Sequence, residues 1–409
     1  MALVVQKYGG TSVGSVERIQ AVADRVQRVR AAGDEVVVVV SAMSGETNRL
    51  LALGRQLAER PSRREMDTLV ATGEQVSASL LSIALEARGL GAVSLSGHQT
   101  RIFTDGVFTK ARIQRIDVEP MRLAIGQGRT PVIAGFQGLD ASGNITTLGR
   151  GGTDTTAVAV AAALGADLCE IYTDVDGVYT TDPNVCPDAR KVPRVTFEEM
   201  LELASLGAKV LQIRSVEVAM KYGIPIHVRS SFSEAPGTIV GGPDDDLESV
   251  VVRGVACDRN EVKMTIRDLP DEPGVVARLF ETLAEQNISV DMIIQTSSRG
   301  GKTDLTFTVT QTDIESAREV AEAAARDIKA GEMEVNDGVA KVSIVGAGMR
   351  SHVGVAAKMF RMLAAEKINI DAITTSEIRV SCLIAKDQAD HAVRTLHDGF
   401  GLASGDTAG

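Results

Sequence analysis

The carboxy-terminal part of this chain repeats itself at a fixed offset. Gly274-Val275, Ala277, Phe280, Leu283-Ala284, Ile288, Asp291 and Ile293 recur as Gly354-Val355, Ala357, Phe360, Leu363-Ala364, Ile368, Asp371 and Ile373, each 80 positions later. One offset shared by glycine, apolar and acidic positions marks two copies of one supersecondary unit. Val262 and Val342 open the copies, and 305–309 answers 380–384 after a shorter second turn. Each copy reads strand, helix, hairpin, helix, and the first closes with a strand near 333–335. The second has a helix over 390–397, and 402–409 is small and polar, so it lacks a last strand. An orphan strand over 250–256 is expected to cover that edge, because an unpaired sheet edge is a liability. The first unit is thus predicted to be inserted into the second.

Before the repeat, short β-branched runs alternate with helical periodicity, the pattern of a mostly parallel sheet sandwiched by helices. Strands are predicted over 3–6, 35–40, 92–95, 131–134, 168–173 and 225–228, and helices over 16–31, 48–59, 64–88, 119–126, 155–164 and 198–222. The turn-rich stretch from 231, with Pro236-Gly237, Gly241-Gly242-Pro243 and three aspartates, reads as a linker. The predicted organisation is an α/β domain over 1–232, a linker over 233–248, a βαββαβ ferredoxin-like unit over 261–338, and a second built from 249–260 plus 339–409.

The net charge of −11 comes from interspersed acids and bases with no basic block, so neither nucleic acid nor an anionic membrane is an expected partner. In an acidic chain, Lys or Arg beside glycine turns becomes informative. The four cysteines lie far apart, with no Cys-x-x-Cys and no His at ligand spacing, so a zinc site or disulfide framework is not expected. The longest purely aliphatic run, 36–40, is too short to span a bilayer, and no basic-then-apolar leader opens the chain, so a cytoplasmic location is expected.

Val4-Val5-Gln6-Lys7-Tyr8-Gly9-Gly10-Thr11-Ser12 reads as a strand feeding a glycine turn that opens a helix at Ser15, a geometry suited to phosphate. It is no P-loop: Ser15-Val16 stands where Lys and a hydroxyl residue are needed, and no Gly-x-Gly-x-x-Gly follows a strand. Gly149-Arg150-Gly151-Gly152-Thr153-Asp154 runs into an alanine-rich helix. Its glycines bring amides to a ligand, Arg150 offers a fork for carboxylate or phosphate, and Asp154 can hold an ammonium or a metal. Tyr172-Thr173-Asp174-Val175-Asp176-Gly177-Val178-Tyr179-Thr180-Thr181-Asp182-Pro183 lies at the carboxyl end of a strand, where α/β sheets place ligands. Turn chemistry explains that run equally well. Ser41 to Asn48 supplies hydroxyls at a helix start, Thr72-Gly73-Glu74 a carboxylate within a helix, and Lys209 alone would be a surface lysine.

Together, in this order, the clusters resemble the aspartate kinases. Lys7 to Ser12 is similar to that family's amino-terminal signature, Gly149 to Asp154 to its aspartate-binding loop, Thr173 to Pro183 to its nucleotide loop, and the repeats to its paired ACT domains. The resemblance implies an amino-acid-kinase fold and ATP-dependent phosphorylation of the β-carboxylate of L-aspartate to 4-phospho-L-aspartate. That reaction is the first step toward lysine, threonine and methionine, with diaminopimelate on the lysine branch. It further implies that Lys7, Asp154 and Lys209 are catalytic. Ser41, Thr47, Glu74, Arg150, Gly151, Gly152, Thr153 and Asp154 would hold aspartate. Lys7, Tyr8, Gly9, Gly10, Tyr172, Thr173, Asp174, Tyr179, Asp182 and Lys209 would bind ATP, and Mg²⁺ would be carried by the ATP with no protein-held metal. The chemistry agrees: a β-carboxylate is already ionised at pH 7 and needs no general base, only charge neutralisation and in-line positioning.

The paired ACT units imply feedback by lysine, threonine or both. The matching positions are Asp271, Ser289, Asp291 and Gln295 in the first unit, and Val355, Ala356, Asn369, Ile370, Ser376 and Glu377 in the second. Core packing accounts equally for the apolar ones. The second unit departs from the pattern, carrying Val353 before its glycine where the first has Pro273, which leaves that loop less rigid. A homo-oligomer through the ACT units is expected, with a shorter ACT-only subunit as a further partner. The chain ends without a dinucleotide-binding motif, so fusion to homoserine dehydrogenase is not expected. Alternatives are another kinase of the same fold, or a catalytically silent amino-acid sensor.

Overall fold

The computed structural model describes residues 1–206, 210–242, 251–286 and 288–403. They form two compact units, one carrying most of the first 242 residues and one carrying 180–190 and the repeats.

The first unit is built on an eight-stranded sheet. Its order is Arg194–Thr196, Thr238–Gly241, Ile226–Ser230, Leu168–Thr173, Leu3–Tyr8, Glu35–Val40, Thr130–Ala134, Ala92–Leu95. Only the 226–230 and 238–241 neighbours pair antiparallel. The central strands are covered on both faces, so Val36 to Val40 are all buried, the burial that an unbroken valine run requires. Helix Gly152–Leu164 is buried almost throughout, which explains its alanines: small side chains let it approach the sheet. Helix Arg63–Glu86 is long and apolar enough to cross a membrane by composition. Here it packs in the core, carrying buried Asp67 and Glu74 among its apolar residues.

Two expectations need correction. The region read as a linker contains strand Thr238–Gly241, reached through a hairpin at Pro236-Gly237 where Gly237 has φ +79. The single helix expected over 198–222 is two, Phe197–Ser205 and Ile213–Tyr222, because Gln212 adopts an extended backbone at φ −81, ψ 136. A small sheet also went unpredicted, ordered Ile113–Ile116, Ile102–Thr104, Gln137–Leu139, Ile145–Thr147. Its strands are three or four residues long, too short to show alternation.

The second unit holds two four-stranded antiparallel sheets. One is ordered Val290–Gln295, Lys302–Thr310, Glu261–Pro270, Met333–Asn336; the other Gly254–Asp258, Val339–Val345, Arg379–Ala385, Ala372–Thr375. Strand Gly254–Asp258 thus lies in the sheet of the second repeat, separated from it in the chain by the whole first sheet. It begins later than the expected 250, and Val250 lies outside the described residues. Each sheet carries two helices, Val275–Glu285 and Ile314–Asp327 on one, Val355–Ala365 and Ala389–Gly399 on the other. Gly274 and Gly354, one repeat apart, both cap their helices in the left-handed region, at φ +90 and +94. The residue that breaks the pattern, Val353, is wholly exposed.

Candidate active site

The first strand carries Lys7 to the carboxyl edge of the sheet, at the point where later strands are added on both sides of it. There its ammonium meets Asp154, in the first turn of helix Gly152–Leu164, with Nζ 2.7 Å from Oδ1. Both side chains are nearly buried, at 10% and 12% exposure, so the attraction acts in a low dielectric. The turn that follows closes on itself through Ser12 N to Gly9 O (2.9 Å), and Gly9 N donates to Tyr172 O at the end of the neighbouring strand (3.2 Å). A Cβ on Gly10 would stand 2.9 Å from Ala42 O, so the approach of these two backbones requires glycine.

These groups line a cavity of about 480 Å³. Glycines 9 and 10 and Thr11 form one wall. Ser41 to Gly45, Thr47 and Asn48 form another, and Gly149 to Asp154 a third, with Glu74, Phe136, Thr173 and Asp174 completing it. The third wall is the start of a helix whose cap, Gly151, offers no side-chain acceptor to the first-turn amides. That leaves their partial positive charge to an anionic ligand. Arg150 is exposed at its edge. Glu74 is the opposite pole. One oxygen accepts from Ala42 N (3.1 Å) while the other is buried without a partner, and burial raises its pKa to about 7. A buried carboxylate oxygen facing a polar cavity fits a ligand's ammonium. The inventory is thus two opposed poles, cationic and amide-rich on one side and carboxylate on the other, which matches an amino acid together with phosphate.

Residues that the sequence did not single out hold the walls in place. Buried Asp67 accepts from Thr147 N (2.8 Å), Thr147 Oγ1 (2.8 Å) and Thr109 N (2.9 Å). Arg214 donates to Leu148 O (2.7 Å) and Ala111 O (3.0 Å), so the strand leading into the Arg150 loop is clamped from two sides. Gly151, at φ +69, takes Gln212 against its α-carbon, and a Cβ there would overlap the glutamine side chain. Phe136 adopts φ +68, and its N–H is held by Thr156 Oγ1 (3.1 Å). An Asp within a helix or a Phe after a glycine carries no local sign of such a role.

Of the expected ligand residues, Lys7, Gly9, Gly10, Ser41, Thr47, Glu74, Arg150, Gly151, Gly152, Thr153, Asp154, Thr173 and Asp174 are brought together. Lys209 lies outside the described residues. Four others stand apart from this lining. Tyr8 is wholly buried, stacked on Tyr172 at 4.8 Å, and the Tyr172 hydroxyl donates to Glu170 (3.1 Å). Both rings are core residues, because strand alternation turns them away from the Lys7 side. The Tyr179 hydroxyl donates to Asp176 (2.8 Å), and Asp182 accepts from Asn184 N (2.9 Å), which makes it a turn cap. Of the expected effector positions, Asp271, Ser289, Gln295, Asn369, Ser376 and Glu377 are exposed. Val355, Ala356 and Ile370 pack against the core of the second repeat. Asp291, from the first repeat, is paired with Lys341 of the second.

The chain matches the amino acid kinase family over residues 2–230 and the ACT domain over 264–327 and 342–400. It is 56% identical to an aspartokinase of Pseudomonas aeruginosa over 98% of both chains. Among solved structures, it resembles E. coli aspartokinase III in complex with aspartate and ADP, called an R-state (28% identity, TM-score 0.79, covering 97% of this chain and 99% of that one). The same enzyme with lysine and aspartate, called a T-state, matches at 29% identity and TM-score 0.75, over 97% and 99% of the two chains.

Proposed function

This chain belongs to the aspartate kinases, and from that premise we propose that the cavity transfers the γ-phosphoryl group of ATP to the β-carboxylate of L-aspartate, making 4-phospho-L-aspartate. The Lys7–Asp154 pair between the glycine turn and the helix start carries the reading: an ammonium held where two anions must meet. Nucleophile and phosphoryl group are both negative, so the barrier is mainly electrostatic. Lys7 neutralises the transferring phosphate, the turn at Gly9-Gly10 cradles it, and Asp154 keeps the ammonium placed while the site is empty. Glu74 receives the aspartate ammonium on its unpartnered oxygen, and Arg150 receives the α-carboxylate. Ser41 and Thr47 orient the acceptor, and Lys209 is assigned to the phosphates with Lys7. Mg²⁺ arrives on the nucleotide and supplies charge neutralisation there. Thr173 and Asp174 offer it oxygen donors of the hard kind, directly or through water.

The likeness to an enzyme solved with lysine supports feedback control through the repeats by lysine, threonine or both. The chain is assigned the first step toward lysine, threonine and methionine, in the cytoplasm, as an oligomer joined through its ACT units.

The test is a hydroxylamine trap for acyl phosphate with aspartate and ATP, alone and with each effector. Wild type forms the hydroxamate, Lys7→Ala forms little, and an effector lowers the signal. Equal signal from wild type and Lys7→Ala would sink the catalytic assignment, and indifference to every effector combination the regulatory one.

A further inference from the structure

The five histidines and four cysteines show no metal spacing in sequence, yet the fold unites one of each. Cys186 Sγ lies 3.5 Å from His397 Nδ1 across 211 residues of chain, and both side chains are buried. Asp398, the next residue, places Oδ1 3.8 Å from the same nitrogen while 69% of its side chain stays exposed. Among the described residues, this is the one group of three His, Cys or acidic donors converging within 4.8 Å. We propose that Cys186, His397 and Asp398 form a binding site for a thiophilic divalent cation of the zinc class, with water as fourth ligand.

The sulfur–nitrogen distance carries the proposal. With metal–sulfur and metal–nitrogen bonds of about 2.3 and about 2.05 Å at a tetrahedral angle, sulfur and nitrogen stand about 3.6 Å apart. The observed 3.5 Å therefore needs no rearrangement. The second nitrogen is also occupied as in metal sites. His397 Nε2 is 2.9 Å from Thr180 Oγ1, and a proton held on Nε2 turns the Nδ1 lone pair toward the sulfur. The same hydroxyl oxygen accepts from Arg190 N (3.0 Å), which fixes it in place.

The donors sit on backbone that is already tied down. Cys186 N donates to Asp182 O (3.0 Å), and His397 O accepts from Leu402 N (3.0 Å). The exposed Asp398 marks the route of entry and of the water ligand. On binding, the S–H bond of Cys186 breaks, a sulfur–metal bond forms, and the proton passes to solvent, so affinity rises with pH. The loaded site clips segment 180–190 to helix Ala389–Gly399 within one unit.

A thiol–imidazole hydrogen bond has the same spacing but no affinity for metal, so titration separates the two. Co²⁺ is added to chelator-stripped full-length protein and followed by the thiolate-to-cobalt charge-transfer band and the tetrahedral d–d bands. Wild type develops both, saturating at one ion per chain, and Zn²⁺ displaces them. Cys186→Ser removes the charge-transfer band, and Cys257→Ser keeps it. Asp398→Asn, an exposed change that leaves the fold alone, weakens Co²⁺ binding by roughly tenfold or more, the scale of a lost metal-site partner. No band in wild type, a band surviving in Cys186→Ser, or unchanged affinity in Asp398→Asn overturns the proposal. If Cys186→Ser proves unfolded by circular dichroism, the wild-type titration and Asp398→Asn decide alone.

Discussion

At the scale of single residues, charge placement governs the site, and two side chains make it measurable. If Lys7 neutralises the transferring phosphate as proposed, Lys7→Ala is expected to cut kcat by roughly 10²–10³-fold, the usual cost of one electrostatic donor, and to raise the KM for aspartate much less. A variant with normal kcat and only a raised KM would make Lys7 a binding residue. Glu74 titrates near neutrality because burial penalises its charge. If its carboxylate binds the aspartate ammonium, kcat/KM for aspartate falls below about pH 7, up to roughly tenfold per pH unit. Stability runs the other way. The folded pKa of about 7 exceeds the ordinary 4.5, so between those values the native state holds more protons than the unfolded one and stability declines as pH rises. The buried charge costs on the order of 3 kcal/mol above that window. Glu74→Gln is therefore expected to raise the thermal midpoint at pH 8 relative to wild type, with the gain vanishing toward pH 5. A midpoint difference independent of pH would rule this out. Lys7, Glu74 and Asp154 were legible in the sequence because motif wording marked them. Asp67 and Arg214 were not, because a residue that acts by holding a carbonyl or an amide is defined by what the fold brings to it.

Among elements, the site depends on the loop before helix Gly152–Leu164. Asp67 and Arg214 clamp the strand entering it, and Gln212 sits against Gly151 only because the expected long helix is broken there. The periodicity of 198–222 is helical on both sides of the break, so pattern alone reads one helix. What interrupts it is a tertiary demand, the seating of Gln212 on a glycine at φ +69. Gly151→Ala should therefore abolish activity by displacing the loop, at a cost of roughly 1–3 kcal/mol for the backbone strain alone. Wild-type activity in that variant would show that the loop does not have to hold this shape. The strands that periodicity placed well, 35–40, 92–95 and 168–173, have burial set by the sheet itself. The short strands of the small sheet and 238–241 depend on partners distant in sequence.

For the whole molecule, the repeats are joined inside their unit by a buried cation. Lys341 of the second repeat is 3% exposed in its side chain and lies 2.6 Å from Glu261, and it also pairs with Asp291, both from the first repeat. A lesser pair, Lys263 with Asp371 at 3.0 Å, crosses in the other direction. Lys341→Met leaves two acids without their cation and is expected to cost about 3–5 kcal/mol in denaturant unfolding. If Asp291 is an effector residue, as the family resemblance implies, the substitution should also weaken the response to effectors. A stability change below about 1 kcal/mol would show that the pair is solvated and idle. Ile293 and Ile373, equivalent in the repeats, are 53% and 43% exposed on edge strands, the apolar edges that strand pairing between copies would cover. If the chain oligomerises through its ACT units as proposed, Ile293→Asp combined with Ile373→Asp should lower the mass seen by light scattering, and an unchanged mass would count against these edges as the interface. The fold class, the duplication at an offset of 80 and most residues lining the cavity were legible from chain order alone. Periodicity, glycine turns and repeated spacing are local properties that survive in one dimension. That Tyr8 and Tyr172 are core, that the supposed linker gives a strand to the main sheet, and that Cys186 meets His397 became visible only in three dimensions. Each of those facts depends on which distant backbone fills the space beside a residue, and chain order alone does not contain that information.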